Sequence, residues 1–275
     1  MNRTLKRYTL LLIAIYAGII SFAQTEDAFL KKHFSRLREN IPDAQKLIII
    51  DSVKKILSDY SVSDSVFKHR FTDLRFLGQI TSPDSLVKLL SWNLVLTDGA
   101  NRYYCFFIKR NDKVSSPSSL FIEGEYREEP PEKNKVYSAE DWYGSLYYDL
   151  RPFVSSGRKN YILLGLDYGN SLVTRKIIET LYFDEHGLPH FGADCLSDGK
   201  SLSKRAIFEY SSSAVMSLKF ESDSLIVFDH LSPFSPDLKG NYQFYGPDFS
   251  FDAYILRNGI WYFKPDIDIK NRKNK

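Results

Sequence analysis

The chain has little sulfur and lacks the short motifs that mark common enzyme classes. Only two cysteines and two methionines occur among 275 residues. No His-Glu-x-x-His, Cys-x-x-Cys or Gly-x-Ser-x-Gly sequence is present, so these signals support neither a metal-dependent nor a serine hydrolase. Gly199-Lys200-Ser201 resembles the end of a phosphate-binding loop, but Asp194 stands where that loop needs its first glycine. We expect no cofactor.

The chain also lacks an apolar run long enough to cross a bilayer. Residues 1–23 contain three basic residues within the first seven positions, an apolar run from Leu10 to Ile20, and then Ser21-Phe22-Ala23. This pattern is typical of a signal peptide cleaved before Gln24. A membrane anchor is the alternative, but the run is short of the ~20 residues that a span requires. We expect an exported protein, periplasmic or extracellular, with no membrane span in the mature chain.

No excess of one charge remains once that segment is removed. The full chain has 37 Lys and Arg against 34 Asp and Glu, and the signal segment accounts for three of the basic residues. No later segment concentrates basic residues among aromatic ones, so we expect no nucleic-acid partner. The basic residues from Lys270 to Lys275 are typical of a solvated tail.

The two cysteines leave two interpretations open. An exported protein reaches a compartment that permits disulfides, so a bridge between Cys105 and Cys195 is one interpretation. Cys105 lies in Tyr103-Tyr104-Cys105-Phe106-Phe107, however, a setting typical of a small buried thiol.

Aromatic residues are abundant, and they favour β structure. The chain has 20 Phe and 18 Tyr, and such side chains pack well across strands but lose rotamer freedom on helices. The segment after the signal peptide has the periodicity of a helix, with Leu30, Phe34 and Leu37 on one stripe. A second stripe contains Leu47, Ile50, Val53 and Leu57 and follows Asp43, a possible N-cap. We divide the chain into residues 1–23, a helical segment 24–70 packed on the main domain, and a β domain 71–275.

Period-two alternation dominates after residue 71. Leu90, Trp92, Leu94 and Leu96 share one face of a strand, and Thr97-Asp98-Gly99-Ala100 predicts a hairpin turn after it. Asn258-Gly259 predicts a second hairpin near the end of the chain.

Further strands are predicted between these hairpins. Tyr161 to Leu166 is apolar on both faces and predicts an inner strand. Thr174 to Phe183 is assigned as a strand, although a helix capped by Ser171 also fits it. Residues 206–228, including Ala214 and Met216, predict a meander. About a dozen strands indicate a mainly β fold, a large antiparallel sheet system formed as a sandwich, a curved sheet or propeller-like blades.

The densest group of metal-ligating residue types lies between residues 186 and 195. It contains His186, His190, Asp194 and Cys195, all of which can bind zinc. The spacing matches no standard site, and a polar hairpin turn is the alternative interpretation. In an extended strand, His190 and Asp194 share a face.

Aromatic residues next to carboxylates suggest sugar binding in two places. Trp and Tyr faces stack on the apolar side of a pyranose, and paired acids can transfer protons. The candidate binding residues are Trp142, Tyr143, Tyr245, Asp248 and Trp261. The acids beside them are Asp141, Asp149, Asp248 and Asp252. The alternative is that these aromatics are core residues or cross-strand pairs.

Three segments of the chain resemble a group of secreted proteins of Bacteroidota-type bacteria that has no known activity. The segments are Tyr161-Ile162-Leu163-Leu164-Gly165-Leu166-Asp167-Tyr168-Gly169-Asn170, followed by Thr174-Arg175-Lys176; Phe208-Glu209-Tyr210-Ser211; and Tyr242-Gln243-Phe244-Tyr245-Gly246-Pro247-Asp248. The resemblance implies an envelope or extracellular setting and assigns no functional residue.

The absence of catalytic motifs favours a non-enzymatic binding or interaction module of the cell envelope or exterior. Its expected partner is a glycan or an envelope protein. The alternative is a glycan-active hydrolase that uses paired carboxylates. A structural envelope protein with a large exposed apolar patch is a third interpretation.

Overall fold

The computed structural model describes residues 26–110, 116–125 and 127–268. The predicted signal peptide and the basic tail from Lys270 lie outside the described residues. Strands account for 45% of the chain and helices for 15%, which confirms the mainly β prediction. The division at residue 70 stays a prediction. No helix within the described ranges is long and apolar enough to span a membrane.

Two helices precede the strands, as the apolar stripes predict. Helix α1 covers residues 26–36, and helix α2 covers Asp43–Ser61. Asp43 is the first residue of α2 and not its N-cap; Pro42 takes the cap position without a side-chain hydrogen bond. The Asp43 carboxylate instead accepts hydrogen bonds from the backbone N–H and the hydroxyl of Thr97. It therefore joins the helix to the predicted hairpin turn.

The strands form three sheets, here called sheets I, II and III. Sheet I has the order β1-β2-β3-β4 and is antiparallel throughout. Its strands are β1 (Gly78–Thr81), β2 (Val87–Val95), β3 (Asn101–Lys109) and β4 (Ser118–Gly124). The turn between β2 and β3 confirms the first predicted hairpin.

Sheet II is antiparallel and has the order β11-β7-β6-β5, with β8 added beside β7. Its strands are β5 (Leu146–Ser155), β6 (Arg158–Asp167), β7 (Val173–Phe183), β8 (Pro189–Phe191) and β11 (Ala206–Ser211). The inner position of β6 confirms the prediction for Tyr161 to Leu166. The ambiguous segment after Ser171 is strand β7, because its alternate side chains pack into cores on both faces of the sheet.

Sheet III has the order β10-β9-β15-β14-β13-β12, and only the β15–β9 pair is parallel. Its strands are β9 (Leu196–Ser197), β10 (Leu202–Ser203), β12 (Leu218–Ser222), β13 (Leu225–Pro233), β14 (Tyr245–Arg257) and β15 (Ile260–Lys264). Short 3-10 helices cover Pro236–Leu238 and Tyr242–Phe244. Asn258 and Gly259 have positive φ angles and form the predicted terminal hairpin.

The meander predicted over residues 206–228 is wrong. Strand β11 pairs with β7 in sheet II, whereas β12 and β13 form a hairpin in sheet III. Ala214 and Met216 lie in the loop that crosses from one sheet to the other. The alternation of apolar residues continues through this loop because Met216 is buried in the core between the two sheets.

The helices and the three sheets form four layers, with an apolar core between each layer and the next. The first core joins the helices to one face of sheet I through Trp92. The second joins the other face of sheet I to sheet II through Phe107. The third joins the far face of sheet II to sheet III through Trp261. Sheets I and II are each covered on both faces, which explains why nearly every residue of β2, and of β6 from Asn160 onward, is buried.

Candidate functional site

A groove of about 980 Å³ opens where sheets I and II end, and we call it the central groove. One wall consists of the last turn of α1, Phe76 and the β2–β3 hairpin. The other wall consists of the end of β6, the start of β7, the end of β11 and the crossing loop. Its volume is at the upper end of the range usual for small-molecule sites.

The groove exists because the core between sheets II and III stops before strand β7 does. Side chains on one face of a strand recur every two residues. Ile178 on β7 is fully buried in that core, while Lys176 and Thr174 continue the same face and line the groove. Tyr210 on β11 pairs with Thr174 and is the last core residue before the opening.

A buried ionic network fixes the groove wall where β6 ends. The Arg175 guanidinium contacts the carboxylates of Asp167 at 3.1 Å and Glu209 at 3.0 Å. Burial disfavours the charged guanidinium, but these two carboxylates more than offset that effect and raise the pKa of Arg175. Tyr103 donates to Asp167 at 2.9 Å and accepts from the N–H of Tyr168 at 2.8 Å. The network therefore holds the backbone that presents Tyr168.

Aromatic surfaces and hydroxyl groups face the groove. The side chains of Phe76 and Tyr168 are 42% and 43% exposed, which is high for residues of this size. The Tyr210 ring is buried, and this burial, together with the nearby Tyr168, raises the pKa of Tyr210 to about 12. Its hydroxyl is thus neutral at physiological pH. Neither the Tyr168 nor the Tyr210 hydroxyl bonds to another residue in the described ranges.

Three charged residues line the central groove. Arg38 stacks its guanidinium 4.2 Å from the centroid of the Phe76 ring, and Lys176 places its ammonium 4.2 Å from the centroid of Tyr148. Asp98 is exposed at the hairpin tip and accepts from the N–H of Ala100. Burial lowers the pKa of Lys176 because the ammonium loses part of its hydration.

Trp142 and Tyr143, the first pair of predicted binding residues, lie in the core between sheets I and II. Trp142 is 1% exposed and donates from Nε1 to the Tyr147 hydroxyl at 3.1 Å. Tyr143 is also buried and donates to Glu179 at 3.0 Å. Their ring faces pack against protein, which leaves no face for a sugar.

The acids beside that pair are engaged in local contacts. Asp141 accepts from the N–H of Ser138 and forms an ion pair with Lys135 at 3.0 Å. Asp149 forms an ion pair with Arg151 and accepts from the N–H of Leu150.

The second predicted group is divided between the core and the surface. Trp261 is fully buried in the core between sheets II and III. Tyr245 is half-buried, lies 5.1 Å from Tyr242 between ring centroids, and accepts from the N–H of Gly240. Asp248 is exposed in a bulge of β14. The structure does not bring these three residues into one site.

His230 lies between the two carboxylates of that region. Its Nδ1 atom is 2.8 Å from Asp252, and its Nε2 atom is 3.9 Å from Asp248. The hydrogen bond to Asp252 is the main cause that raises the pKa of His230. The imidazole therefore lies between the two acids, within 4 Å of each.

The four candidate metal ligands are dispersed. His190 bonds to Asp184 at 3.1 Å, His186 lies beside Glu185 on the surface, and Asp194 pairs with Lys204. Cys195 is buried in the third core, where burial raises its pKa to about 12. Over the part of the chain that the structure describes, no three His, Cys, Asp or Glu residues are placed to hold a metal ion.

The two cysteines form no disulfide, which agrees with the interpretation of Cys105 as a small buried thiol. Cys105 and Cys195 are both free thiols. They are buried in different cores, Cys105 between sheets I and II and Cys195 between sheets II and III. The thiols act there as small apolar side chains.

The geometry defines a class: a four-layer, mainly antiparallel β protein with a polar and aromatic groove at the ends of two sheets. No known protein family, curated protein or solved structure matches the chain.

Proposed function

We propose that this protein is a non-enzymatic binding module and that its ligand is a glycan bound in the central groove. The observation that carries the proposal is the exposed Tyr168 ring beside hydroxyl and amide groups in a concave space of about 980 Å³. Such a surface suits a sugar because aromatic faces stack on its apolar side while polar groups bind its hydroxyls.

Several polar groups in the groove are available to such a ligand. The hydroxyls of Tyr168, Tyr210 and Thr174 bond to no residue in the described ranges, and the amide of Asn170 uses only its oxygen, which accepts from the N–H groups of Leu172 and Val173. The polar atoms of Tyr210, Thr174 and Asn170 are not among the buried side-chain atoms that lack a partner, so solvent reaches them. Ligand hydroxyls can replace that water.

The positions of the carboxylates favour a binding function over glycoside hydrolysis. Glycosidases need two carboxylates roughly 5 to 9.5 Å apart. Among the described residues that line the groove, Asp98 is the sole acid. Elsewhere, His230 separates Asp248 from Asp252. The hydrolase alternative therefore has less support than the binding module.

We also propose that the protein acts outside the cytoplasm. The support is the sequence of residues 1–23, with its basic start, apolar run and small residues before Gln24. Amino-terminal sequencing of the native protein tests this: a chain that starts at Gln24 supports export, and one that retains Arg3 contradicts it.

The experiment that tests the function is a glycan-array screen of residues 24–275 with product analysis of every bound ligand. Wild type is compared with Ser171→Trp, which places a large side chain at the groove, and with Ser224→Trp, which does so on an exposed turn outside the groove lining. We expect binding without cleavage that is lost only in Ser171→Trp. Cleavage products would instead support the hydrolase, and the absence of any binding would overturn the proposal.

A further inference from the structure

Lys176 is a half-buried cation that lacks an anionic partner. Its ammonium forms no ion pair and no hydrogen bond with any residue in the described ranges; its one polar contact is the Tyr148 ring face, 4.2 Å from Nζ to the centroid. Arg175 on β7 and Arg205 just before β11 behave differently, because each contacts a carboxylate within 3.1 Å. Lys176 is only half-buried, so its charge stays available to a ligand.

The position of Lys176 explains how it can be both half-buried and available. Its flanking neighbours in the sheet are Leu166 on β6 and Phe208 on β11, and both are apolar. These neighbours remove water from the stem of the side chain. Lys176 is one of the residues that line the groove, and its ammonium lies over the Tyr148 ring at one side of it. Burial lowers the pKa of Lys176, the expected consequence of lost hydration without a compensating anion.

The surrounding groups suit an anion. The hydroxyls of Tyr168, Tyr210 and Thr174 line the same part of the groove and can each donate a hydrogen bond. Arg38 adds a second positive charge on the opposite wall, and Asp98 is the single described carboxylate in the lining. The net charge of the lining is therefore positive.

We propose that the central groove selects acidic glycans, and that the carboxylate of a uronic acid residue binds the ammonium of Lys176. This inference rests on the proposed function, since it names the class of glycan that the groove takes. A carboxylate gives Lys176 the charge-assisted hydrogen bond that the protein does not supply. A neutral sugar leaves the ammonium unpaired.

The test uses two ligands that differ only in the acidic group. Calorimetric titration compares an oligogalacturonate with the α-1,4-linked oligogalactose of the same length, on wild type, Lys176→Met and Lys176→Arg. We expect wild type to bind the acidic ligand at least about tenfold more tightly, because a hydrogen bond to a charged group typically contributes that much. Lys176→Met should lose this preference, and Lys176→Arg should keep most of it.

Lys219→Met is the matched control. It removes the same charge from an exposed strand, where Lys219 pairs with Glu221 at 3.3 Å outside the groove. It should keep the full preference. An equal loss in Lys219→Met would indicate a general charge effect and would overturn the inference.

The remaining outcomes separate the two proposals. If wild type binds both ligands equally, the selection for acidic glycans is wrong and the glycan-binding function stands. If neither ligand binds, the selection for acidic glycans is overturned, and the glycan array decides whether the groove binds any glycan. An oligoglutamate of equal charge provides a third arm, and tighter binding of that peptide than of the oligogalacturonate would contradict a glycan as the acidic ligand.

Discussion

Arg205 donates a hydrogen bond from Nε to the carboxylate of Glu179 at 2.8 Å, and both side chains are completely buried. Tyr143 and the backbone N–H of Thr180 donate to the same carboxylate. The remaining guanidinium nitrogens donate to the carbonyls of Glu132 and Phe191. The pair therefore ties β7 to the backbone at Glu132 and at Phe191 on β8.

Removal of one partner of this pair should destabilise the fold strongly. Glu179→Gln leaves the Arg205 charge buried and unpaired, and we expect the free energy of unfolding to fall by about 3 to 5 kcal/mol. Asp223→Asn is the control, since Asp223 pairs with Arg151 on the surface and should contribute about 1 kcal/mol or less. Urea unfolding measures both. Equal losses in the two variants would contradict a buried ionic tie.

Because the ammonium of Lys88 is buried, the free energy of unfolding should increase as pH rises into the alkaline range. This ammonium donates to the Tyr60 hydroxyl at 2.9 Å and to the carbonyls of Val66 and His69, and it has no carboxylate partner in the described ranges. Burial, with a smaller effect of Arg70, lowers the pKa of Lys88 from 10.5 to about 8. Between these values the unfolded chain binds more protons than the folded protein, so stability rises with pH.

Lys88→Met should remove that increase. As pH rises from 8 to 10, wild type should gain about 2 kcal/mol of unfolding free energy relative to the variant. Urea unfolding at a series of pH values measures this difference. A difference that stays constant with pH would show that the ammonium is not desolvated in the folded protein.

His230 should titrate above its ordinary range. Its hydrogen bond to Asp252 raises the pKa of the imidazole above 6.5, with Asp248 and Asp266 adding smaller effects. The contribution of this contact to stability is thus complete below pH 6.5 and is lost as pH rises through the raised value. NMR titration of the imidazole should show the raised pKa in wild type, and a lower one in Asp252→Asn. An unchanged pKa in that variant would contradict the assigned cause.

Two glycines in equivalent hairpin turns should respond differently to alanine. Gly259 and Gly157 are each the second residue of a two-residue turn, with φ angles of 80° and 73°. A Cβ atom on Gly259 would lie 2.6 Å from the carbonyl oxygen of Val154, whereas one on Gly157 meets nothing within 4 Å. Gly157→Ala should cost about 1 to 2 kcal/mol for its backbone conformation alone. Gly259→Ala should cost clearly more in the same thermal unfolding assay, and equal costs would contradict the close contact.

The sequence predicts the strands better than their partners. Turn residues such as Asn258-Gly259 and the periodicity of Leu90, Trp92 and Leu94 are local signals, so both hairpins and the inner strand β6 follow from them. The sheet that a strand joins is not encoded locally. Strand β11 lies close to β12 in the sequence, yet it pairs with β7 because Phe208 and Tyr210 extend the third core across sheet II.

The groove could not be predicted because its residues come from distant segments. Its two walls draw on residues 34–38, 93–101, 166–176 and 210–216, with Phe76 between them. Aromatic density directed the prediction to Trp142 and Trp261, but large aromatics are concentrated where burial is greatest, and both tryptophans are core residues. The one usable signal was Tyr168, an aromatic residue directly after the apolar strand that ends at Asp167.

The most direct test of glycan binding in the groove compares two tyrosines of equal exposure. Tyr168 lines the groove and is 43% exposed, while Tyr262 lies on β15, outside the groove lining, and is 42% exposed. The affinity of the best array ligand is measured by calorimetry for wild type, Tyr168→Ala and Tyr262→Ala. We expect Tyr168→Ala to weaken binding about tenfold or more and Tyr262→Ala to leave it unchanged. Unchanged affinity in Tyr168→Ala, or a loss in Tyr262→Ala alone, would contradict the groove as the binding site.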